Sequence, residues 1–130
     1  CGTGILAILA EKMGAIELSA FDIAECAAEN SKENAELNQC KNIAVRQGTI
    51  ENEPAKLYDL ILANINRNIL LRDINQYIKY LKIAGEIIIS GFYTSDQADI
   101  EAKFATFGLK KIAEKSDNNW ASLRFEYIGN

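Results

Sequence analysis

The chain has 130 residues, 48% hydrophobic and 25% charged, a balance that supports a buried core and excludes a disordered tail. A formal net charge of -4 with no histidine leaves no general basic surface for phosphates, so direct nucleic-acid binding is not expected, and Ser-His-Asp or Cys-His catalysis within the chain is excluded. Cys1, Cys26 and Cys40 lack C-x-x-C spacing, so no metal site or disulfide framework is expected; with no signal peptide and no apolar run of spanning length, neither is a membrane location, and the cytoplasm is the expected compartment.

Taken in chain order, Ile5 to Met13 carry good helix formers and stop at Gly14, a residue suited to the left-handed position after a helix. Ile16 to Phe21 then fit a short strand ending at Asp22, and Ala24 to Cys40 a long helix with a polar, Glu- and Asn-rich outer face. The pattern repeats. Ile43 to Gln47 is a β-branched strand, Gly48 to Leu57 a loop holding the only proline, Pro54, and Tyr58 to Ala63 a buried strand. Asn68 to Lys82 places apolar residues near a 3.6 period, and Gly85 separates that helix from the strand Ile87-Ile88-Ile89. Thr94 with Gln97 predicts a capping box opening a helix to Phe107, which Gly108 stops. Leu109 to Lys115 and Trp120 to Ile128, joined by Ser-Asp-Asn-Asn, predict a closing antiparallel hairpin. The alternation points to an α/β sheet with helices on both faces and a ligand at the carboxyl ends of its strands.

Four segments could carry chemistry. Gly2-Thr3-Gly4, opening a helix, can bring backbone N–H groups close to a polar ligand, but as G-x-G-x-x-A with Ala7 it fits NAD as well as S-adenosylmethionine. Asp22, after a strand, is placed to accept from both ribose hydroxyls; with Glu25 it could equally cap the following helix. Thr49 and Ile50 follow a strand where an adenine edge and face could be held, and a plain loop turn fits them too. Asn64 ends the buried strand, where an amide oxygen can accept from an amine and orient its lone pair. Helix capping is the alternative there, and it suits Asn66 better.

Read together, Cys-Gly-Thr-Gly-Ile-Leu-Ala-Ile, Ala-Phe-Asp-Ile, Leu-Ile-Leu-Ala-Asn-Ile, Leu-Lys-Ile-Ala-Gly-Glu and Asn-Trp-Ala-Ser-Leu resemble the class I S-adenosylmethionine-dependent methyltransferases that modify large-subunit ribosomal protein eleven. The resemblance spans essentially the whole chain. It implies a Rossmann-like sheet closed by an antiparallel hairpin, S-adenosyl-L-methionine as cofactor, and a ribosomal-protein partner methylated on lysine and N-terminal amines. By position it implies that Gly2, Thr3 and Gly4 form the cofactor loop, Asp22 binds the ribose with Ile23 beside it, Thr49 and Ile50 border the adenine, and Asn64 is the catalytic group facing the methyl. Relatives acting on glutamine amides or nucleic-acid bases carry Asn-Pro-Pro-Tyr or Asp-Pro-Pro-Tyr where this chain has Asn64-Ile65-Asn66-Arg67, which argues against those substrates. Residues 1–130 are expected to be the catalytic domain, N-terminally truncated: the family's first strand, its Asp-x-Gly segment and its recognition domain would precede Cys1. The alternatives are an NAD-binding Rossmann-type domain and a catalytically inactive binding fragment.

Overall fold

The computed structural model describes residues 2–129; Cys1, which heads the Cys-Gly-Thr-Gly run of the resemblance, and Asn130 lie outside them. The chain divides into two units, Cys1–Glu53 and Pro54–Asn130.

The first unit runs α1 (Ile5–Lys12), β1 (Leu18–Asp22), α2 (Glu25–Leu37), β2 (Ile43–Gln47) and a 3-10 turn at Ile50–Asn52. β1 and β2 pair in parallel, from Leu18 opposite Ile43 to Asp22 opposite Gln47. The buried hydrophobic residues here are small apart from Ile50: Ala20 from β1 and Ala28 and Ala35 from α2, with the polar Ser31 beside them. α1 ends as its sequence predicts, with Gly14 at φ 112° and its N–H bonded to the Glu11 carbonyl.

α2 stops at Leu37, short of the predicted Cys40. Gln39 takes φ 58°, and the Gln39 and Cys40 N–H groups bond the Glu36 and Ala35 carbonyls, which is the Schellman closure. A glutamine there carries a Cβ in a region that favours glycine. Gln39→Gly is therefore expected to raise unfolding stability by about 0.5 kcal/mol, the relief of strain being partly offset by a freer unfolded chain; a urea midpoint that does not rise would show that the strain is no larger than that offset.

The second unit contains β3 (Tyr58–Asn64), α3 (Arg67–Tyr77), β4 (Leu81–Tyr93), α4 (Gln97–Ala105), β5 (Leu109–Asp117) and β6 (Trp120–Tyr127), with 3-10 turns at Ile78–Tyr80 and Thr94–Asp96. Its sheet has the order β3-β4-β6-β5. β3 and β4 are parallel, while β4 with β6 and β5 with β6 are antiparallel. Ile87 and Ile89 face Phe125 and Leu123 across the β4–β6 pair, and all four are buried. This alternation sends one sheet face into the core. From the helices come Leu70 and Ile74 of α3 and Ile100 and Phe104 of α4, also buried, and the Phe104 ring lies 4.9 Å from that of Phe125. Of β5, only Leu109 is buried.

Three expectations are corrected here. The helix predicted to Lys82 ends at Tyr77, because Leu81 pairs with Tyr58 and already belongs to β4. The box predicted from Thr94 and Gln97 gives way to Asp96, whose carboxylate accepts from the Tyr93 N–H at 3.1 Å, and α4 begins at Gln97. The four-residue turn contracts to two, since Asp117 pairs with Trp120 and both Asn118 (φ 49°) and Asn119 (φ 69°) have the signs a type I′ hairpin requires.

Candidate functional site

In the first unit the loop before α1 is held from three directions. The Gly2 N–H donates to Asp22 Oδ2 at 3.1 Å, the Ser31 hydroxyl donates to the Gly2 carbonyl at 3.0 Å, and the Asn34 amide donates to the Thr3 carbonyl at 2.8 Å. Gly4 caps the helix at φ 82°, where a Cβ would meet that of Ser31 at 3.1 Å. Backbone can thus approach α2, and a ligand, more closely than a side chain would allow. Ser31 and Asn34 were not singled out from sequence. The signal that could have found them is the run Ala28, Ser31, Ala35, small residues at helical spacing buried in α2.

Asp22 ends β1 and does not cap α2. The N-cap is Ala24, which has no side-chain cap, and Asp22 Oδ1 instead accepts from the Ala24 N–H at 3.0 Å. That bond is the largest of several contributions, the Gly2 N–H a smaller one, that together hold the carboxyl at about 2 against an ordinary 3.8. The depressed value means that folding gains from the ionised form. Its contribution is fully present above pH 3.8 and is lost as pH falls through about 2. A carbon-detected titration is expected to place the Asp22 carboxyl midpoint near 2; a midpoint at the ordinary value would mean that the loop contacts do not persist in solution.

The other first-unit residues differ in exposure. Ile23 is 70% exposed, its carbonyl taking a bond from the Gln47 amide at 3.2 Å, whereas Ile50 is 8% exposed and belongs to the core. Thr49 is exposed, and its N–H donates to Asn52 Oδ1 at 2.8 Å. The Gly48 N–H reaches the Asp22 carbonyl at 2.8 Å, which ties this turn to the strand that carries the aspartate.

In the second unit, Asn66 caps α3 by accepting from the Ile69 N–H at 3.1 Å, so capping does not occupy Asn64. Asn64 is exposed at the end of β3 and lines an open cavity of about 730 Å³ with Ser90, Gly91, Asp117 and Trp120. Trp120 also stacks on Tyr93 with ring centroids 4.4 Å apart. The hairpin side of this cavity was invisible in sequence, because the pairing that folds β6 against β4 is long-range.

Gly91 sits at the irregularity in β4 where the register with β6 shifts between Ser90 and Phe92. At φ 92°, a Cβ there would lie 2.7 Å from Asn64 Oδ1 and 3.1 Å from the Ile65 backbone nitrogen and oxygen. Gly91→Ala is expected to destabilise the fold by about 1–2 kcal/mol through the positive φ and the contact. Unfolding measurements check this, and a neutral effect would show that neither the positive φ nor the contact carries a cost.

Among the described residues there is no group of three or more His, Cys, Asp or Glu side chains able to hold a metal ion, and no helix is long and apolar enough to cross a membrane.

A family model described as Ribosomal protein L11 methyltransferase (PrmA) matches residues 1–127. The ribosomal protein L11 methyltransferase of Porphyromonas gingivalis is 46% identical over 126 residues, covering 96% of this chain and 43% of that protein. Its counterpart in Bacteroides thetaiotaomicron is 44% identical over 128 residues, covering 98% of this chain and 46% of that protein. The crystal structure of the ribosomal protein L11 methylase from Lactobacillus delbrueckii subsp. bulgaricus aligns with a TM-score of 0.90 at 33% identity, over 95% of this chain and 65% of that one. The chain spans less than half the length of these two curated relatives.

Proposed function

The chain belongs to the ribosomal protein L11 methyltransferase family, and on that premise we propose that residues 1–130 form the S-adenosyl-L-methionine-binding catalytic domain of a protein N-methyltransferase, acting on lysine and N-terminal amines of ribosomal protein L11. The observation that carries the cofactor assignment is Asp22, a carboxylate at a strand end whose two oxygens are oriented by the Gly2 and Ala24 N–H groups and whose ionised form is favoured. Such a group suits a ribose diol, which offers two O–H donors.

The residues present fit the cofactor. Gly2, Thr3 and Gly4 present backbone at the start of α1, where the first-turn N–H groups lack partners within the helix. Asp22 takes the ribose hydroxyls, Ile23 offers exposed apolar surface, and the turn of Thr49 and Ile50 borders the adenine. When bound, the cofactor supplies an activated methyl on a sulfonium that leaves as a neutral thioether. The amine's ammonium form first gives its proton to solvent, and the chain's task is then to align the neutral nitrogen with that methyl, which is why the absence of histidine is no obstacle. Asn64 is the group that receives the amine: its amide oxygen accepts one N–H and so orients the nitrogen lone pair. The partner is the ribosomal protein and not nucleic acid, the acidic balance of the chain favouring a basic polypeptide. The cytoplasm is the compartment this substrate requires. The dinucleotide alternative has no support from the family, whose members are named as methyltransferases.

Titration calorimetry on the protein carrying this sequence tests the reading. Heat with S-adenosylmethionine and none with NADH is the expected result. Binding of NADH instead would make it a dinucleotide domain, and binding of neither would leave an inactive fragment.

A further inference from the structure

Glu53 is a buried carboxylate that the proposed chemistry does not use, its side chain only 4% exposed. Its two oxygens lie 2.8 and 2.7 Å from the Ser19 hydroxyl, and Arg46 donates from one guanidinium nitrogen to Glu53 at 3.0 Å and to Ser19 at 3.1 Å. The three residues come from β1, from β2 and from the end of the 3-10 turn, and close a triangle of charge-assisted bonds. Burying such a carboxylate is weak support for stability, because an apolar replacement of similar volume is often as stable. What the triangle does fix is geometry. The segment from Gly48 to Glu53 is clamped at one end by the Gly48 N–H on the Asp22 carbonyl and at the other by Glu53, with the Asn52 side chain and N–H closing on Thr49 between them.

We propose that Ser19, Arg46 and Glu53 are positioning residues that hold the turn of Thr49 and Ile50 in the one conformation that accepts the adenine of S-adenosylmethionine. They set cofactor affinity without touching the reacting atoms. The inference rests on the cofactor reading above and adds to it a group of residues that acts through the turn.

The test compares ligands with and without the base. In Glu53→Ala, the dissociation constants of S-adenosylmethionine and adenosine are expected to rise about tenfold, the scale of a lost hydrogen bond to a charged group. The turnover number stays within about twofold, since the reacting groups are untouched. S-ribosylhomocysteine, which lacks adenine, keeps its affinity, and Glu53→Gln, which can still accept from Ser19, recovers most of the loss. Faster hydrogen exchange at the Asn52 amide accompanies the weaker binding. Ser19→Ala supplies the same comparison should Glu53→Ala unfold. Equal weakening of all three ligands, or a fall in turnover without a change in KM for the cofactor, overturns the proposal. Failure of the unmodified protein to bind S-adenosylmethionine would instead overturn the reading on which it rests.

Discussion

Asp22→Ala is expected to weaken S-adenosylmethionine binding by about tenfold to a hundredfold, the range for losing hydrogen bonds to a charged acceptor. The loss has two sources. On the proposed cofactor assignment the ribose loses its acceptor, and the Gly2 and Ala24 N–H groups lose the carboxylate they bond. Asp22→Asn separates them: its single carbonyl oxygen can serve one of the two donors and its NH₂ cannot serve the other. An intermediate affinity is therefore expected for the amide. Calorimetric affinities near that of the unmodified protein in both variants would remove Asp22 from the site. Loss of binding together with loss of cooperative melting would make its role structural.

The second large effect lies in the other unit. Phe104→Ala empties a fully buried position and removes the ring that lies tilted against Phe125, centroids 4.9 Å apart. A loss of about 3–5 kcal/mol is expected, combining lost transfer energy with the residual cavity. Against a total of about 5–15 kcal/mol for a typical domain, that is a large fraction. Urea unfolding monitored by the fluorescence of Trp120 checks it: the midpoint should fall with little change in slope. A loss below about 1 kcal/mol would mean that α4 does not pack on the sheet as described, since even deletion of one buried methyl typically costs that much.

What could be read in the sequence was what local chemistry decides. Gly14 closes α1 and Asn66 caps α3 as their residue types predict, and the strands before Asp22 and through Asn64 lie close to where their apolar runs place them. What could not be read depended on partners distant in the chain. Leu81 satisfies a helical period as well as a strand, and only its pairing with Tyr58 decides for β4. Gln39 adopts a glycine-like conformation that no propensity favours. In the loop before α1, the place of Asp22 at a strand end was legible but its donors were not, and Asn34, from the helix whose outer face reads as Asn-rich, donates to the Thr3 carbonyl. The triangle of Ser19, Arg46 and Glu53 is assembled by strand register, and nothing in the spacing of three such ordinary residues announces it.

β5 borders the second unit's sheet with β6 as its strand neighbour there, and beyond Leu109 it lies open to water. A nine-residue strand so placed offers a template on which another chain could add and begin an aggregate. Its sequence works against that outcome. Lys110, Lys111 and Lys115 punctuate it, and its register with β6 shifts between Lys111 and Ala113. The charged side chains and the interrupted ladder make it a poor template for an added strand, so the strand that walls the cavity beside Asn64 is also one whose sequence disfavours edge pairing.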